Sequence, residues 1–362
     1  MFLPSLKVSI IINNYNYDAF LSQAVDSALN QSYPHVEVIV VDDGSEDDSV
    51  AIIQRYGDRI IPVLKANGGQ ASALNAGFEA SSGDLILLLD ADDYLFPHAV
   101  ETIASEWQKA SAEQNGFTYA QVQSRLELVD VQGQYIDLYP APEISFDQGD
   151  VTPLLLTKGR YNTTITSGTG FSRAALQKIL PIPEEEFRIS ADGYLVTTAP
   201  FYGHVLAIDT PIGARRKHDT NAWAVSDMTR KVEHFRRSFE HDFVRYKYLK
   251  RTANRLGYTP FPNLELLDYL HVQDRLAYLR LDPQRYPISH DSPYALSLRG
   301  IWAILKYSPF TWSRKSLLCA WFLWLGFAAQ SWVTTSIRWR FLGNSRPRWI
   351  DRLLKTVRYS TS

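Results

Sequence analysis

Three apolar segments in the N-terminal quarter of the chain end in the same way, in a cluster of Asn and Asp, and this constrains the fold more than any other feature. Val8–Ile12 runs into Asn13-Asn14-Tyr15-Asn16, Val36–Val41 into Asp42-Asp43-Gly44-Ser45, and Leu85–Leu89 into Asp90-Ala91-Asp92-Asp93. Helical patterns alternate with them. Ala19–Asn30 sets Leu21, Ala24, Val25, Ala28 and Leu29 on one face, Ser45 and Asp48 make a capping-box-like helix start, and Gln70–Ala80 is a further helix after a strand at Ile60–Leu64. Short continuous apolar strands separated by helices predict an α/β fold, Rossmann-like, with a mostly parallel sheet covered by helices on both faces. Ligands in such sheets sit at the carboxyl ends of the strands, which is where the Asn and Asp clusters fall.

Those clusters do not suit a dinucleotide. No G-x-G-x-x-G turn follows the first strand to seat a pyrophosphate. Carboxylates crowded at one edge repel one another unless a cation lies between them, and hard oxygen donors suit Mg2+ or Mn2+ rather than zinc. A divalent ion would in turn hold a diphosphate. One such cluster would read as a turn starter; three at successive strand ends favour a site.

The segments VSIIINNYNY (Val8–Tyr17), VEVIVVDDGSEDDS (Val36–Ser49), NGGQASALNAG (Asn67–Gly77) and GDLILLLDADD (Gly83–Asp93) resemble, in order and spacing, glycosyltransferase family 2 with its GT-A fold. The resemblance implies that Asn13 and Asp43 contact the nucleotide base and that Asp90 lies near the ribose. It implies that Asp92, as the last Asp of an Asp-x-Asp, binds the metal bridging the diphosphate. Asn67, Gly69 and Asn75 correspond to the loop and helix start that frame the donor, with Asn75 equally open to a structural role in the helix.

Looser resemblance continues downstream. SGTGFSRAAL (Ser167–Leu176) is similar to an acceptor-side strand and helix whose glycines would let backbone approach the sugar. RISADGYL (Arg188–Leu195) resembles the segment of the catalytic carboxylate, which would be Asp192, with Ala191 where the family usually has Glu. RRKHDTNAW (Arg215–Trp223) resembles a closing loop in which His218 reaches the metal or diphosphate beside Arg215 and Arg216.

That set implies an inverting, metal-dependent transfer from a nucleotide-diphosphate sugar, a UDP-sugar being the expected donor, to a hydroxyl of a glycan or lipid-linked acceptor in polysaccharide or cell-envelope synthesis. In-line displacement needs a base opposite the leaving group, the role expected of Asp192. The departing diphosphate needs charge compensation, expected from a divalent ion on Asp92 and His218 together with Arg215 or Arg216. No Gln-x-x-Arg-Trp motif follows the base, which favours single-sugar transfer over polymer extrusion. Two rival readings remain. A nucleotidyltransferase would open with a Gly-rich loop and a basic residue where Asn13–Tyr17 stands, and a non-catalytic sugar-nucleotide-binding protein would keep Asp43 and Asp92 but could dispense with Asp192.

Charge is distributed unevenly. From Arg299 on there are eleven Lys/Arg and one acid, Asp351, leaving 26 basic and 38 acidic residues before it, and seven of nine Trp residues lie in this tail. Basic residues mixed with Trp are what a membrane interface selects. Ser316–Ile337 carries no charge and is long enough for a transmembrane helix, yet polar residues dilute its second half and basic residues flank both ends. An in-plane or re-entrant helix on the cytoplasmic face is expected, a single span and a buried helix pair being the alternatives. The single cysteine, Cys319, excludes an internal disulfide, and no signal pattern precedes Val8, so a cytoplasmic setting is expected. The expected organisation is a catalytic domain over residues 1–223, a helical extension and linker over 224–298, and a membrane-associating segment over 299–362. The expected partners are the donor, the acceptor and an anionic membrane surface, with no nucleic acid.

Overall fold

The apolar runs form strands that outlast their hydrophobic residues. In the computed structural model, which describes residues 6–113, 117–218, 227–308 and 310–341, β1 spans Val8–Asn14, β2 Val36–Asp42, β3 Ile61–Leu64 and β4 Leu85–Asp90. Asn13, Asn14, Asp42 and Asp90 are thus still in the ladder, with Asn13 opposite Asp90 and Asn14 opposite Asp42. The polar ends are held by the sheet instead of lying in free turns.

Helices α1 (Asp18–Leu29), α2 (Ser49–Arg55), α3 (Gln70–Ala80) and α4 (Ala99–Ala112) connect and cover the strands. The second helix starts three residues later than the Ser45 signal suggests, because Ser45 Oγ instead accepts from Asn14 Nδ2 (3.2 Å) and the Asn16 N–H (2.9 Å). The expected capping box is therefore a brace between two strand ends.

Seven strands make the main sheet, in the order β10-β6-β9-β4-β1-β2-β3, where β6 is Tyr119–Ser124, β9 Thr169–Ser172 and β10 His204–Ile208. All pairs are parallel except those of β9, which is antiparallel to both β4 and β6. A Cβ at Gly170 would lie 2.4 Å from Leu87 Cδ2 and one at Gly168 2.7 Å from the Ser124 carbonyl. These glycines serve close packing against protein, which corrects the expectation that they open the backbone to a sugar. A second sheet, β5-β11-β7-β8, joins Tyr94–Leu95 (β5), Leu126–Val129 (β7), Tyr135–Tyr139 (β8) and Gly213–Arg216 (β11). One apolar core, from Val8, Ile10 and Ile12 through Leu85, Leu87 and Leu89 to Trp107, lies between the main sheet and its helices.

The chain divides into two compact units. The first holds residues up to Pro153 and Tyr161–His218, and includes α6 (Arg173–Ile179) and α7 (Asp192–Thr198); the second holds Leu154–Arg160 and everything from Asp219 on. Helix α5 (Thr152–Lys158) therefore carries the chain out of the first unit for seven residues and back. The expected domain boundary at Trp223 lies outside the described residues.

The second unit is helical: α8 Met228–Arg255, α9 Tyr269–Leu281, α10 Pro293–Tyr307, α11 Trp312–Phe327 and α12 Gln330–Phe341. Phe235, Phe239, Leu276, Leu296, Phe322 and Val333 share one core, so helices on both sides of residue 299 pack together. Buried Arg245, half-buried Arg160 and two buried aspartates complement it. Arg160 pairs with Asp268 and with Asp242 (3.0 Å), Arg245 bonds Asp242 (3.0 Å), and His271 Nδ1 meets Asp242 Oδ2 at 3.1 Å. Burial opposes ionisation of Asp242, but Arg160 and Arg245 outweigh it and hold the carboxyl well below the usual range.

The uncharged stretch Ser316–Ile337 is not one helix. It breaks at Ala328-Ala329, where Arg280 donates to the Ala328 carbonyl (2.6 Å) and the Gly326 carbonyl (3.4 Å), satisfying the C-terminal carbonyls of α11. Among the described residues no helix is long and apolar enough to cross a membrane, and the single-span alternative is not supported. The basic residues beyond Phe341 lie outside the described residues.

Candidate active site

The site assembles at the carboxyl edge of the main sheet, around the end of β4. Asp90, Asp92 and Asp93 offer carboxylate oxygens that all lie within 4.8 Å of one another. Asp90 Oδ1 accepts from Asn13 Nδ2 (3.1 Å) and Gln70 Nε2 (3.3 Å). Asp93 accepts from Ser167 Oγ (2.6 Å) and from the Arg216 N–H (2.8 Å), so the turn before β9 and the end of β11 both anchor it. Asp92 Oδ2 meets His218 Nε2 at 2.9 Å, and the His218 ring packs against Phe20 and Tyr17.

Crowding has an electrostatic cost. Burial, then the Asp92 and Asp192 carboxylates, push Asp90 up to about 7, against the Asn13 amide and the Arg215 guanidinium. Asp93 is raised well above the carboxylate range by burial and then by Asp92 and Asp90. The Tyr17 hydroxyl is raised too, by burial and then by Asp92, Asp90 and Asp93. Three converging hard oxygen donors, whose charges are mutually unfavourable without a cation, fit Mg2+ or Mn2+. The buried amide oxygen of Asn13, which has no hydrogen-bond partner among the described residues, adds an unsatisfied acceptor beside them.

A second group forms at the end of β2. Asp43 accepts from Lys65 Nζ (2.7 Å) and from the N–H groups of Gly68 (2.9 Å) and Gly69 (2.6 Å), while Asn67 donates to its carbonyl (3.0 Å) and accepts from Arg188 (2.7 Å). Gly69 has φ +89°, and a Cβ there would lie 2.7 Å from the Arg188 carbonyl. That contact matters because Gln70 N and Ala71 N, at the open start of α3, donate to the carbonyls of Arg188 (2.8 Å) and Phe187 (3.2 Å). The segment leading to Asp192 is thereby fastened to the Asn67–Gly69 loop. Gln70 completes the fastening, since its Oε1 accepts the Ala191 N–H at 2.9 Å while its Nε2 reaches Asp90.

Asn13, Asp43, Asn67, Gly69, Asp90, Asp92, Asp192, Arg215 and His218 therefore belong to one connected neighbourhood, whereas two expected donor ligands are otherwise engaged. Asn75 is buried and bonds both backbone groups of Ile182 (2.8 and 2.9 Å), which ties Ile182–Glu184 to α3. Arg216 is also buried. Its guanidinium donates to the carbonyls of Val131 (2.9 Å) and Asp92 (3.2 Å) and to Gln23 (2.5 Å), and stacks on Phe20. Of the two arginines, Arg215 is the one whose charge bears on Asp90, with its guanidinium over Tyr139. Asp219–Trp223 of the expected closing loop lie outside the described residues.

Gln70, Ser167, Arg188 and Asp93 are the residues that sequence reasoning did not single out. Asp93 and Gln70 adjoin residues that it did, and Ser167 opens a segment read for its glycines alone.

Comparison with known proteins bears on the fold and the family. The structure is similar to the crystal structure of S. aureus TarS 1–349 in complex with UDP-GlcNAc, at a TM-score of 0.50 and 17% identity over 92% of both chains. The fold is that of a GT-A glycosyltransferase, a mixed α/β domain with a helical C-terminal region. Residues 9–179 match the family model described as glycosyl transferase family 2. That segment is a glycosyltransferase family 2 domain. It is 34% identical over 222 residues to an uncharacterised glycosyltransferase of Nostoc sp., covering 60% of this chain and 66% of the relative. It is 45% identical over 94 residues to one of Rickettsia prowazekii, covering 26% of this chain and 30% of the relative. The chain thus spans less than two thirds of each.

Proposed function

We propose that the protein transfers a sugar from a nucleotide diphosphate, with inversion, onto a hydroxyl of a glycan or lipid-linked acceptor, and that it does so in association with a membrane surface. The observation that carries the transfer reading is the Gln70 amide, which joins Asp90 at 3.3 Å to the Ala191 N–H at 2.9 Å and so sets the start of α7, where Asp192 stands, beside the acidic cluster. A base for the acceptor hydroxyl and a seat for the diphosphate are then neighbours, as displacement at one carbon requires.

In this reading Asp192 takes the acceptor proton as the new glycosidic bond forms, and the bond to the diphosphate oxygen breaks on the opposite side. Arg215 compensates the charge that develops on the departing diphosphate. Asp92 and His218, with Asp90 and Asp93 adjacent, would hold Mg2+ or Mn2+, which supplies Lewis-acid stabilisation of the leaving group when bound. Asp43 and Asn13 receive the nucleoside, and a UDP-sugar is the proposed donor because the structurally similar TarS is in complex with UDP-GlcNAc.

The test is a panel of nucleotide sugars incubated with the protein, with Mn2+ or with chelator, reading nucleotide diphosphate release and the anomeric configuration of the product. Metal-dependent release with an inverted product is expected. Tight binding of a nucleotide sugar without release, given a full acceptor panel, would instead make the protein a binder, and a retained configuration would remove Asp192 from the role of base.

A further inference from the structure

Helices α10 and α11 form an antiparallel hairpin. The start of one meets the end of the other where the Tyr294 and Phe327 rings lie 4.8 Å apart, and at the opposite end Lys315 Nζ donates to the Leu305 carbonyl at 3.1 Å. Their packing is close. A Cβ on Gly300 would fall 2.0 Å from the Phe322 ring, and one on Gly326 2.5 Å from Ser297. The inner face, with Leu296, Ile304, Phe322 and Leu325, is buried in the core of the helical unit.

The hairpin has a second apolar face. Tyr294, Leu298, Trp302 and Leu305 follow one another along α10 at helical spacing, and Leu323 and Phe327 continue the stripe on α11 through the Tyr294–Phe327 contact. All six are exposed, Leu298 at 57% and Phe327 at 56%. A stripe of this kind is costly in water and is not the scatter of single apolar residues that any surface shows.

Charge indicates what covers it. Between Asp291 and Asp351 there is no acidic residue, while Lys306, Arg314 and Lys315 gather at the hairpin turn. These cations sit over aromatic rings there, Lys306 over Trp302 (5.0 Å), Arg314 over Phe310 (4.0 Å) and Lys315 over Trp312 (5.5 Å), the last ring being 75% exposed. Trp and Tyr beside Lys and Arg, flanking an apolar stripe, match the layers of a bilayer interface, where indoles lie at headgroup depth and cations meet anionic lipid. A 15-residue helix such as α10 is about 22 Å long, short of the roughly 30 Å hydrocarbon core.

We infer that the outer face of the α10–α11 hairpin is the membrane-docking surface, lying in the plane of an anionic bilayer with Tyr294, Leu298, Trp302, Leu305, Leu323 and Phe327 toward the acyl chains. This deepens the proposed membrane association by assigning it to one face of folded helices. Lys306, Arg314 and Lys315 supply the preference for anionic lipid, and the apolar stripe supplies the part of the binding that salt does not screen.

Flotation of the full chain with phosphatidylcholine vesicles, with and without phosphatidylglycerol, tests this at low and high salt. The wild type is expected to float with anionic vesicles and to be only partly released by salt. Leu298→Ser/Trp302→Ser/Phe327→Ser should reduce partition by about tenfold or more and make the remainder fully salt-sensitive, while Lys306→Glu/Arg314→Glu/Lys315→Glu should abolish the anionic preference. Tyr135→Ser, which removes an exposed aromatic of β8 in the first unit, should change nothing. Thermal melting checks that each variant is folded, and nucleotide diphosphate release without vesicles reports separately on the transfer reading. Absence of flotation by the wild type overturns the inference, as does wild-type flotation by the folded triple-serine variant. A dimer in solution that this variant dissolves, without vesicle binding by the wild type, would make the face a contact between copies and overturn it equally.

Discussion

Gln70 donates to Asp90 Oδ1 at 3.3 Å, and the same side chain accepts from the peptide that precedes Asp192. The acidic cluster and the proposed base are therefore positioned by one neutral amide that bears no charge of its own into the site. Gln70→Ala should lower kcat by roughly tenfold, about 1.4 kcal/mol, with the donor KM changed far less, because the loss falls on alignment and not on a donor contact. Equal effects on both parameters would show that Gln70 binds donor directly.

Asp192→Asn keeps the shape of the side chain and removes its basicity. Turnover should fall by about 100-fold or more, while nucleotide diphosphate affinity measured by calorimetry stays near wild type. Near-wild-type turnover would move the base to another carboxylate, with Glu184, Glu185 and Glu186 next to be tested.

Asp92→Ala and Arg216→Ala should separate two kinds of loss. The first removes a proposed metal ligand, so Mn2+-dependent binding of nucleoside diphosphate should disappear while the melting temperature of the metal-free protein holds. The second breaks buried charged hydrogen bonds, of order 1.5–3 kcal/mol each, and should lower the melting temperature with or without Mn2+. Asn75→Ala should resemble the second, through its lost bonds to Ile182.

Glu37, at the opposite edge of the sheet from the acidic cluster, offers a pH test. Burial raises its pKa, but hydrogen bonds from Lys7, Ser9 and Ser82 prevail and hold it at about 2, against 4.5 ordinarily. A carboxyl lowered on folding stabilises the native state above the unfolded pKa and loses that contribution as pH falls from about 4.5 through about 2. Glu37→Gln should flatten this part of the acid unfolding curve and lower stability at neutral pH, as read by denaturant melts across pH. An unchanged acid limb would assign the acid sensitivity to other carboxylates.

The strands β1, β2 and β4 were legible because each is a continuous apolar run flanked by turn residues, a pattern that burial on both faces imposes, whereas β6, whose Tyr119–Ser124 is interrupted by two glutamines, and β10 were not. β9 was not legible as an antiparallel insertion, since Thr169-Gly170-Phe171-Ser172 carries too few residues to show a period, and its two neighbours come from distant parts of the chain. The same holds for the second sheet, where β11 pairs with β5 and β7 across long separations. Within the site, residue types could be read but not their phase. Arg215 and Arg216 are adjacent on β11 and so point to opposite sides, and only the register with β5 and β7 decides which guanidinium is buried. Asn75 shows the same limit on a helix, where the wall that its face meets, Ile182, lies 107 residues away.

The seven-residue excursion at Leu154–Arg160 gives the chain three covalent crossings between its units where a simple tandem arrangement has one. The first unit is for that reason not detachable by trimming from the C-terminus. A fragment ending at His218 would retain Leu154, Leu155 and Leu156 together with Arg160, but without Asp242 and Asp268, and would present an apolar strip and an orphaned cation to solvent. Genetic fusion or swapping of the helical unit between related transferases would have to exchange this short internal segment as well as the tail, because the two pieces make up a single folding partner divided in sequence.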